Sequence, residues 1–327
     1  MILIEFFEGQ GLGNQLWLYS AARVLADFKK CDLYIENDFL FKGANFLNIR
    51  YKSTVDLPKN FKKNLTIYNE PFYCDPYFNA VITFYDNKFF KVNKNIILRG
   101  FFQSEKYLGG SLYNIGNIIK FKTKLIRNLD ALNHKICLIN LRGGEYKRHK
   151  DLILPLEYWE FAINYMKEKK NISQFIVVTD DKFYAKRIFP NFEIISDNIA
   201  LCFQYLTVAK YLIVSNSSFS YFPIAMNRNK PFVIGPHNWA RFNNPLDLWI
   251  SPCNFYKKWH WMDKKGRLFK YSDLTKHVTN TWHYYNIHFK LQSDWRMNKE
   301  NFLSIYSLRF KRYLKKKISF FLPMLIG

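Results

Sequence analysis

The sequence predicts an α/β protein built on parallel β-sheets. Short apolar runs alternate with stretches of helical periodicity through the second half of the chain, and the first half opens as strand, glycine-rich turn, helix and strand. Strands that alternate with helices form parallel sheets covered on both faces, because each connection crosses over the sheet. A chain of 327 residues, 49% of them hydrophobic, is long enough to bury a core in each of two domains.

The first element is a short apolar strand over residues 2–7, which Gly9, Gly11 and Gly13 follow closely. Apolar residues recur at helical spacing from Leu16 onward, so we expect the glycines in the turn between the strand and a helix. In such a turn the backbone approaches a ligand closely, and the N–H groups of the helix start point at an anion. A nucleotide site is one interpretation, and a turn that only connects the two elements is the other.

A dinucleotide-binding fold is a further interpretation of this turn. Its fingerprint is G-x-G-x-x-G with an acidic residue about 20 positions later. Glu36 ends the next apolar run, CDLYIE, and is placed to be that acid, but Asn14 stands where the third glycine belongs. An NAD-dependent oxidoreductase therefore stays open as an alternative.

The second half contains five apolar, β-branched runs that predict strands: ICLINL, FIVVT, FEII, YLIVS and PFVIG. The segments between them predict helices: LPLEYWEFAINYMKEKK, DKFYAKRIF, LCFQYLTVAK and SFSYFPIAMN. Three polar loops, LRGGEY, TDD and SNSSFS, directly follow strands. Ligands of such sheets bind at the carboxyl ends of the strands, so we expect these loops at one edge.

Residues in these loops suit a phosphorylated ligand. Arg142 precedes two glycines and suits bidentate capture of a phosphate, although a surface pair with Glu145 is the alternative. The hydroxyl and amide groups of SNSSFS, at a helix start, suit a pyrophosphate, and simple capping by Ser217 or Ser218 is the alternative. The segment 179–181 suits sugar or base hydroxyls, or caps the next helix.

Several enzyme classes are excluded by missing motifs. The chain has no G-x-x-x-x-G-K-[ST], H-E-x-x-H or G-x-S-x-G, which argues against P-loop, zincin and serine-hydrolase chemistry. The seven histidines show no metal-ligand spacing. The five cysteines form no C-x-x-C pair and are odd in number, which favours a reducing compartment over a disulfide framework or a zinc site.

Together these segments resemble the bacterial α-1,2-fucosyltransferases, glycosyltransferase family 11. GQGLGNQLWLYSAARVLA resembles the opening signature of the family and RGFFQSEKYL its G-Y-F-Q-S-E-K-Y-F segment. INLRGGEY resembles the H-x-R-R-G-D-Y motif, TDDKFYAKRIFP the (S/T)-D-D segment and SNSSFSYFPIAMN the S-N-S-S-F-S-W-W segment. The matches follow the order of the family and extend over residues 4 to about 240.

The resemblance implies a GT-B-type α/β fold, with two Rossmann-like domains and a donor site in the cleft between them. It further implies inverting transfer of fucose from GDP-fucose to a hydroxyl of a sugar acceptor, with no metal or other cofactor. The expected domains are residues 1–130 on the acceptor side, residues 131–255 on the donor side, and a basic, aromatic C-terminal region of residues 256–327.

The resemblance also assigns roles to residues. Arg142 is expected to be catalytic and to bind the β-phosphate of the donor. The other implied donor-binding residues are Gly11, Gly13, Asn14, Gln15, Asn140, Glu145, Asp180, Ser215, Asn216, Ser217, Ser218 and Phe219. Gln103 and Ser104 are implied on the acceptor side. The candidates for the general base are Glu8, Glu145, Asp180 and Asp181.

Four positions depart from the family pattern and bear on the identity of the donor. Asn140 replaces the motif histidine, Gly143 the second arginine, and Glu145 the aspartate. Cys202 stands about where the family often has an acid that reads the guanine, with Asp197 nearby in sequence. A glycosyltransferase that uses another nucleotide sugar is therefore an alternative.

The charge balance predicts anionic partners. The chain carries 49 Lys and Arg against 26 Asp and Glu, a formal net charge of +23. A nucleic-acid-binding protein is the alternative in another class, but no binding motif of that class is present and no nucleic acid is expected. A strand beginning at residue 2 and the absence of long apolar runs predict a cytoplasmic protein. The segment RFKRYLKKKISFFLPMLIG predicts peripheral association with an anionic membrane surface. The resemblance to the fucosyltransferase family implies surface-glycan assembly, of O-antigen or capsule, with a lipid-linked glycan as the acceptor.

Overall fold

The computed structural model describes residues 1–55, 57–58, 60–110, 114–122 and 135–294. It contains two parallel β-sheets, one in each half of the chain, which confirms the predicted α/β class. The strands of the first half are β1 (Ile2–Glu5), β2 (Leu33–Glu36), β3 (Leu47–Ile49), β4 (Lys52–Ser53), β5 (Thr66–Asn69), β6 (Phe72–Asp75), β7 (Ala80–Thr83), β8 (Ile96–Arg99) and β9 (Ile119–Phe121).

The N-terminal sheet has the order β4-β2-β1-β8-β5. Its strand pairs are all parallel. β1 lies at the centre, where Ile2, Leu3 and Ile4 are buried, as expected for a strand covered on both faces. β6 and β7 form a separate antiparallel hairpin within the aromatic segment that follows β5, and β3 pairs with β9.

Helix α1 (Leu12–Phe28) follows β1 and begins earlier than the apolar spacing suggested. Gly13, Asn14 and Gln15 therefore lie in its first turn rather than in the connecting loop, which corrects the sequence prediction. Of the preceding glycines, Gly9 has a left-handed backbone with φ of 79°. No side chain caps the start of α1, so its first N–H groups have no side-chain acceptor.

The second half supplies a seven-stranded sheet whose first five strands match the predicted runs. Its strands are β10 (Ile136–Leu141), β11 (Gln174–Thr179), β12 (Glu193–Ile195), β13 (Tyr211–Val214), β14 (Phe232–Pro236), β15 (His260–Met262) and β16 (Leu268–Lys270). The order is β12-β11-β10-β13-β14-β15-β16. Counted along the chain from β10, this is the 3-2-1-4-5-6 order of doubly wound sheets, in which ligands bind where the order reverses. Here that point lies between the carboxyl ends of β10 and β13.

The remaining helices connect and cover these strands. They are α2 (Ile115–Ile118), α3 (Leu156–Lys170), α4 (Lys182–Ile188), α5 (Ile199–Val208), α6 (Tyr221–Met226) and α7 (Tyr271–His288). The helices α3 to α6 fall on the four segments that helical spacing predicted. Within the described residues, no helix combines the length and the apolar content needed to cross a membrane.

The second sheet continues beyond residue 255, where the sequence had placed the start of a separate C-terminal region. β15 pairs in parallel with β14, and β16 pairs antiparallel with β15. α7 then returns to the first half, since the buried Tyr285 hydroxyl donates to Asp75 Oδ2 at 2.7 Å. Gln292 bridges to Phe72 of the hairpin. The sheet thus continues across the predicted boundary at 255, and the sequence did not show this because strands of three residues carry too little pattern to be recognised.

A large cluster of buried hydrophobic residues joins the two halves. The fully buried Trp17 of α1 stacks on Tyr221 with ring centroids 4.3 Å apart, and on Tyr256 at 5.9 Å. Aromatic rings of this size bury large apolar areas, which fixes α1 against the second half of the chain. The glycine-rich start of α1 is thereby held beside the carboxyl edge of the second sheet.

Candidate functional site

A cavity of about 240 Å³ opens at the carboxyl edge of the second sheet, at the point where the strand order reverses. It is lined by Asn140, Leu141, Arg142, Val178, Thr179, Asp180, Ser196, Asp197, Ile199, Cys202, Ser217 and Phe219. Loops that follow β10, β11 and β13 thus meet at one edge, as the sequence predicted. The cavity brings together five residues implied by the resemblance, namely Asn140, Arg142, Asp180, Ser217 and Phe219.

Arg142 lies between two carboxylates. Its Nη1 is 2.6 Å from Asp180 Oδ2, and its Nη2 donates to Glu145 Oε1 at 3.0 Å. The guanidinium also lies over the Tyr146 ring, 5.7 Å from its centroid. The pair with Glu145 is the alternative that the sequence left open, and Asp180 adds a second anchor. Because the Arg142 side chain is 29% exposed at the cavity wall, its remaining donors are accessible to a ligand.

Gly143 and Gly144 allow this loop to lie close to Asp180 and Asp181. The Gly143 N–H donates to Asp180 Oδ1 at 2.9 Å. A Cβ atom at position 143 would come within 2.8 Å of Asp181 Cβ and of the Tyr184 ring. Position 143 corresponds to the second arginine of the family motif. Here the surrounding atoms leave room for glycine but not for a side chain.

The hydroxyl groups of the 215–220 segment are mostly engaged within the protein. Ser217 Oγ accepts from Phe219 N at 3.4 Å, which is the capping role that the sequence left open. The Ser220 hydroxyl donates to Ser217 O at 2.8 Å. Ser215 Oγ is buried without a hydrogen-bond partner. The predicted pyrophosphate cradle is therefore reduced to Ser217 and Phe219, which line the cavity.

A chain of hydrogen bonds connects the two sheets beside the cavity. Asn14 Oδ1 accepts from the Ser218 hydroxyl at 2.7 Å and from Gln103 Nε2 at 2.8 Å. Gln103 Oε1 accepts in turn from Asn254 Nδ2 at 2.9 Å. Asn14 and Ser218, from the predicted donor side, and Gln103, from the predicted acceptor side, thus meet directly. Asn254 was missed, because nothing in the local sequence marks it.

The start of α1 approaches this segment very closely. A Cβ atom on Gly13 would lie 2.5 Å from Phe219 N and 2.5 Å from Ser218 C, both of them backbone atoms. No real Cβ atom tolerates such a contact, so the position requires glycine. Gly11, in contrast, has open space around it and precedes the helix with φ of −71°.

Several predicted site residues have structural partners instead. Gln15 is fully buried, and its amide donates to Leu40 O at 2.8 Å and accepts from Lys42 N at 2.9 Å, so it holds a neighbouring loop in place. Ser104 caps the turn 105–108. Asn216 Nδ2 donates to Leu152 O. The structure thus gives these three side chains partners among nearby backbone groups, and their part in ligand binding stays a prediction.

The salt bridges and hydrogen bonds of the candidate general bases show which of these acids are engaged within the protein. Lys147 pairs with Asp181, which also caps α4, and these contacts lower the pKa of Asp181. Asp180 and Glu145 both bind Arg142, so neither is a free donor-binding group. Glu8 is exposed in the loop between β1 and α1. Glu36, the acid required by the oxidoreductase interpretation, lies 2.5 Å from Lys62 Nζ.

The position of the expected guanine-reading acid is occupied by a neutral thiol. Cys202 lines the cavity, and burial raises the pKa of its thiol. Its Sγ donates to the backbone oxygen of Asp197 at 3.6 Å. Asp197 lines the same cavity, so a carboxylate is present there although it comes from a different position in the sequence.

Comparison with known proteins gives one relative by sequence. No protein-family profile matches the chain. The chain is 22% identical over 300 residues to the O-antigen biosynthesis glycosyltransferase WbnK of Escherichia coli, a similarity that covers 74% of this chain and 97% of that protein.

Comparison with solved structures gives matches that include a fucosyltransferase and a heptosyltransferase. NodZ, an α-1,6-fucosyltransferase from Bradyrhizobium, soaked with GDP-fucose, matches 69% of this chain and 92% of its own, at 14% identity and a TM-score of 0.40. The E. coli heptosyltransferase WaaC with ADP matches 86% of this chain and 99% of its own, at 10% identity and a TM-score of 0.42. In sequence, the chain is thus a relative of a glycosyltransferase of O-antigen biosynthesis.

Proposed function

We propose that this protein is an inverting glycosyltransferase that transfers fucose from GDP-fucose to a hydroxyl of a sugar acceptor, with an α-1,2 linkage. The observation that carries the proposal is the cavity at the strand-order reversal of the second sheet, with Arg142 in its wall. The similarity to WbnK along nearly the whole of that protein supports the same class. The motif segments that resemble family 11 support the donor and the linkage.

Arg142 is the group best placed to stabilise the leaving diphosphate. As the sugar departs with oxocarbenium character, negative charge builds on the diphosphate, and donors already in position lower the barrier most. Asp180 and Glu145 hold the guanidinium in place before a ligand arrives. The uncapped first turn of α1, which contacts the Ser218 and Phe219 backbone, adds N–H groups and a partial positive charge nearby.

We propose that the donor site works without a metal ion. Asp180 already uses both carboxylate oxygens, one on Arg142 and one on the Gly143 N–H. The positive charge of Arg142 beside Asp180 reduces the attraction of this carboxylate for a metal ion. Arg142 and backbone N–H groups then stabilise the negative charge of the diphosphate.

The proposal is tested by a thermal-shift panel of GDP, UDP, dTDP and NAD on the full chain in EDTA, each against the same buffer without nucleotide. GDP at about a hundred times its Kd is expected to stabilise the protein by about 2.7 kcal/mol. Transfer of fucose from GDP-fucose to a galactoside, unchanged by EDTA, is the matching activity. Loss of transfer in EDTA that manganese restores contradicts the metal-free mechanism.

The alternatives give different patterns in the same panel. Stabilisation by UDP or dTDP instead of GDP indicates a glycosyltransferase with another donor. Stabilisation by NAD alone favours the oxidoreductase. Salt-dependent binding of mixed single strands, with no nucleotide effect, favours the nucleic-acid-binding protein.

We propose that the acceptor belongs to a surface glycan, such as an O-antigen or a capsule, and is presented on a lipid at the inner face of the cytoplasmic membrane. The similarity to an O-antigen glycosyltransferase supports this setting. The basic C-terminal segment, which lies outside the described residues, is the proposed membrane contact. A cytoplasmic location fits a nucleotide-sugar donor.

A further inference from the structure

Two histidines and an aspartate converge on a second cavity, away from the site described above. His237 directly follows β14, Asp247 lies in the loop that follows, and His277 lies on α7. One ligand-type atom from each residue lies within 4.8 Å of the other two. The three line a cavity of about 310 Å³, which shares no lining residue with the cavity that contains Arg142.

A hydrogen-bond network fixes the protonation of one imidazole. Asn238 Nδ2 donates to Asp247 Oδ1 at 2.8 Å, because a carboxylate oxygen only accepts. Asn238 Oδ1 must then accept from His277 Nε2, 2.9 Å away. His277 therefore carries its proton on Nε2 and has a bare lone pair on Nδ1. An outer amide that holds the far ring N–H in this way is typical of histidines that bind metals.

Asp247 and Asp263 are the acidic residues that line this cavity, and Asp247 is the one available to bind a metal ion. Asp263 also lines the cavity, but Arg267 neutralises it through Nε at 2.8 Å and Nη2 at 2.7 Å. Lys264 and Lys265 line the cavity as well and are exposed. The ligand set is thus two imidazoles and one carboxylate, on side chains that are respectively buried, half-buried and exposed.

We propose that His237, Asp247 and His277 bind a divalent transition metal of the zinc class. Imidazole nitrogen with carboxylate oxygen suits zinc, and three protein ligands leave a fourth position for water. Metal bonds of about 2.0–2.2 Å require the three side chains to close by roughly 1 Å, and Asp247, as an exposed side chain, can move this far. The metal would tie α7 to the carboxyl edge of β14. It takes no part in the proposed transfer.

Spacing along the sequence does not show this site. Its ligands come from three separate elements, so no short motif contains them, and the sequence analysis therefore predicted no metal site anywhere in the chain. The metal-free transfer proposed above concerns the donor site alone. The two proposals are therefore independent. One can fail without the other, since the metal is detected by its content and spectrum and not by transfer.

The experiment uses the full chain, freed of metal by chelation and dialysis, with zinc added and the retained metal then measured. Wild type is expected to retain one equivalent, and His277→Ala none. His283→Ala is the matched control, because His283 is exposed on the same helix and does not line the cavity. Asn238→Gly, which keeps the ligands, is expected to weaken zinc binding about 10–100-fold. Melting curves check that each variant is folded.

Cobalt supplies a readout that identifies the ligands. A spectrum of nitrogen and oxygen coordination that His277→Ala removes supports the proposal. A thiolate charge-transfer band assigns the metal to cysteines and overturns it. Equal zinc retention by wild type, His277→Ala and His283→Ala shows surface binding only, and also overturns it.

Discussion

Arg142 is the residue on which the proposed chemistry depends most. Lysine keeps the charge but lacks the planar fork, and it cannot reach Asp180, Glu145 and a diphosphate at once. Loss of one donor to developing charge costs on the order of 100–1000-fold in turnover, so Arg142→Lys is expected to lose about that much. The affinity for the donor should fall less, because the ground state has only part of the charge. Steady-state transfer, with folding checked by melting, measures both.

Glu145→Gln is the comparison for this prediction. Glu145 is 61% exposed, and such ion pairs contribute about 0–1 kcal/mol. The variant is therefore expected to stay near wild type. A folded Arg142→Lys enzyme within about threefold of wild-type turnover would remove Arg142 from the mechanism and leave it as a surface ion pair.

Glu70 predicts a pH dependence of stability. It is fully buried, and its Oε2 accepts from Phe101 N at 2.7 Å and Phe102 N at 2.8 Å, in the loop that follows β8. Burial raises the pKa of Glu70 to about 7. A raised carboxyl pKa contributes stability that is complete below the unfolded pKa and is lost as the pH rises through about 7. The loss is on the order of 3 kcal/mol.

Glu70→Gln keeps an acceptor for both N–H groups but does not ionise. Its unfolding free energy is therefore expected to lack the fall that wild type shows between about pH 4.5 and 7. Glu168→Gln, at an exposed position on α3, serves as control and should follow wild type. Parallel pH curves for wild type and Glu70→Gln would show that Glu70 does not titrate in this range.

The sequence showed which residue types gather at the site but not where each amide or hydroxyl points. Arg142, Asp180 and Ser217 were found because they follow strands of one sheet, whose carboxyl ends share an edge. The backbone partners of Gln15 and Asn216 were not predicted, because an amide that binds a ligand and one that binds a backbone loop look the same in sequence. Only the fold shows that Leu40 and Leu152 are their partners.

At the scale of elements, the contact between α1 and the 218–220 turn sets the width of the site. Gly13→Ala places a Cβ atom where two backbone atoms lie 2.5 Å away, so α1 and the turn must separate. Overpacking of this kind costs about 1–3 kcal/mol, although alanine otherwise favours a helix over glycine by about 1 kcal/mol. We expect a lower melting temperature and a loss of transfer.

Gly11→Ala is the matched control, because it adds the same methyl group two residues earlier, where no atom lies within 4 Å. It should melt and transfer as wild type does. If Gly13→Ala behaves like Gly11→Ala in both measurements, the close approach of α1 to the turn does not exist in solution.

Elements with strong periodic patterns could be predicted, and short ones could not. The runs that form β10 to β14 are rich in Ile, Val and Leu because helices cover both faces of the sheet. β15 and β16 have three residues each, with Trp, Lys and Arg around them, so the same sheet continues without a recognisable signal. The early start of α1 was missed because Gly11 and Gly13 are poor helix formers.

At the scale of the molecule, charge predicts membrane association. Arg309, Lys311, Arg312, Lys315, Lys316 and Lys317 precede Ile318, Phe320, Phe321 and Leu322, all outside the described residues. Each cation near an anionic leaflet contributes roughly 1 kcal/mol. Co-sedimentation with phosphatidylserine vesicles is therefore expected for the full chain and not for a version that ends at Ser307. Equal sedimentation of the two refutes a role for this segment.

The return of α7 to the first half has a consequence for how the protein can be divided. Asp75 and Phe72 belong to the N-terminal half, yet their partners Tyr285 and Gln292 come from the far end of the described chain. If the polypeptide were cut between the two sheets, these contacts would still hold its fragments together without a covalent link. We therefore expect fragments 1–122 and 135–327, produced together, to elute as one complex in gel filtration, and to bind each other less tightly when the second fragment stops before residue 271, because the contacts of α7 are then lost while those around Trp17, Asn14 and Gln103 remain. Co-elution of the two fragments would show that the halves fold as partners, and elution of each fragment alone would show that they are autonomous.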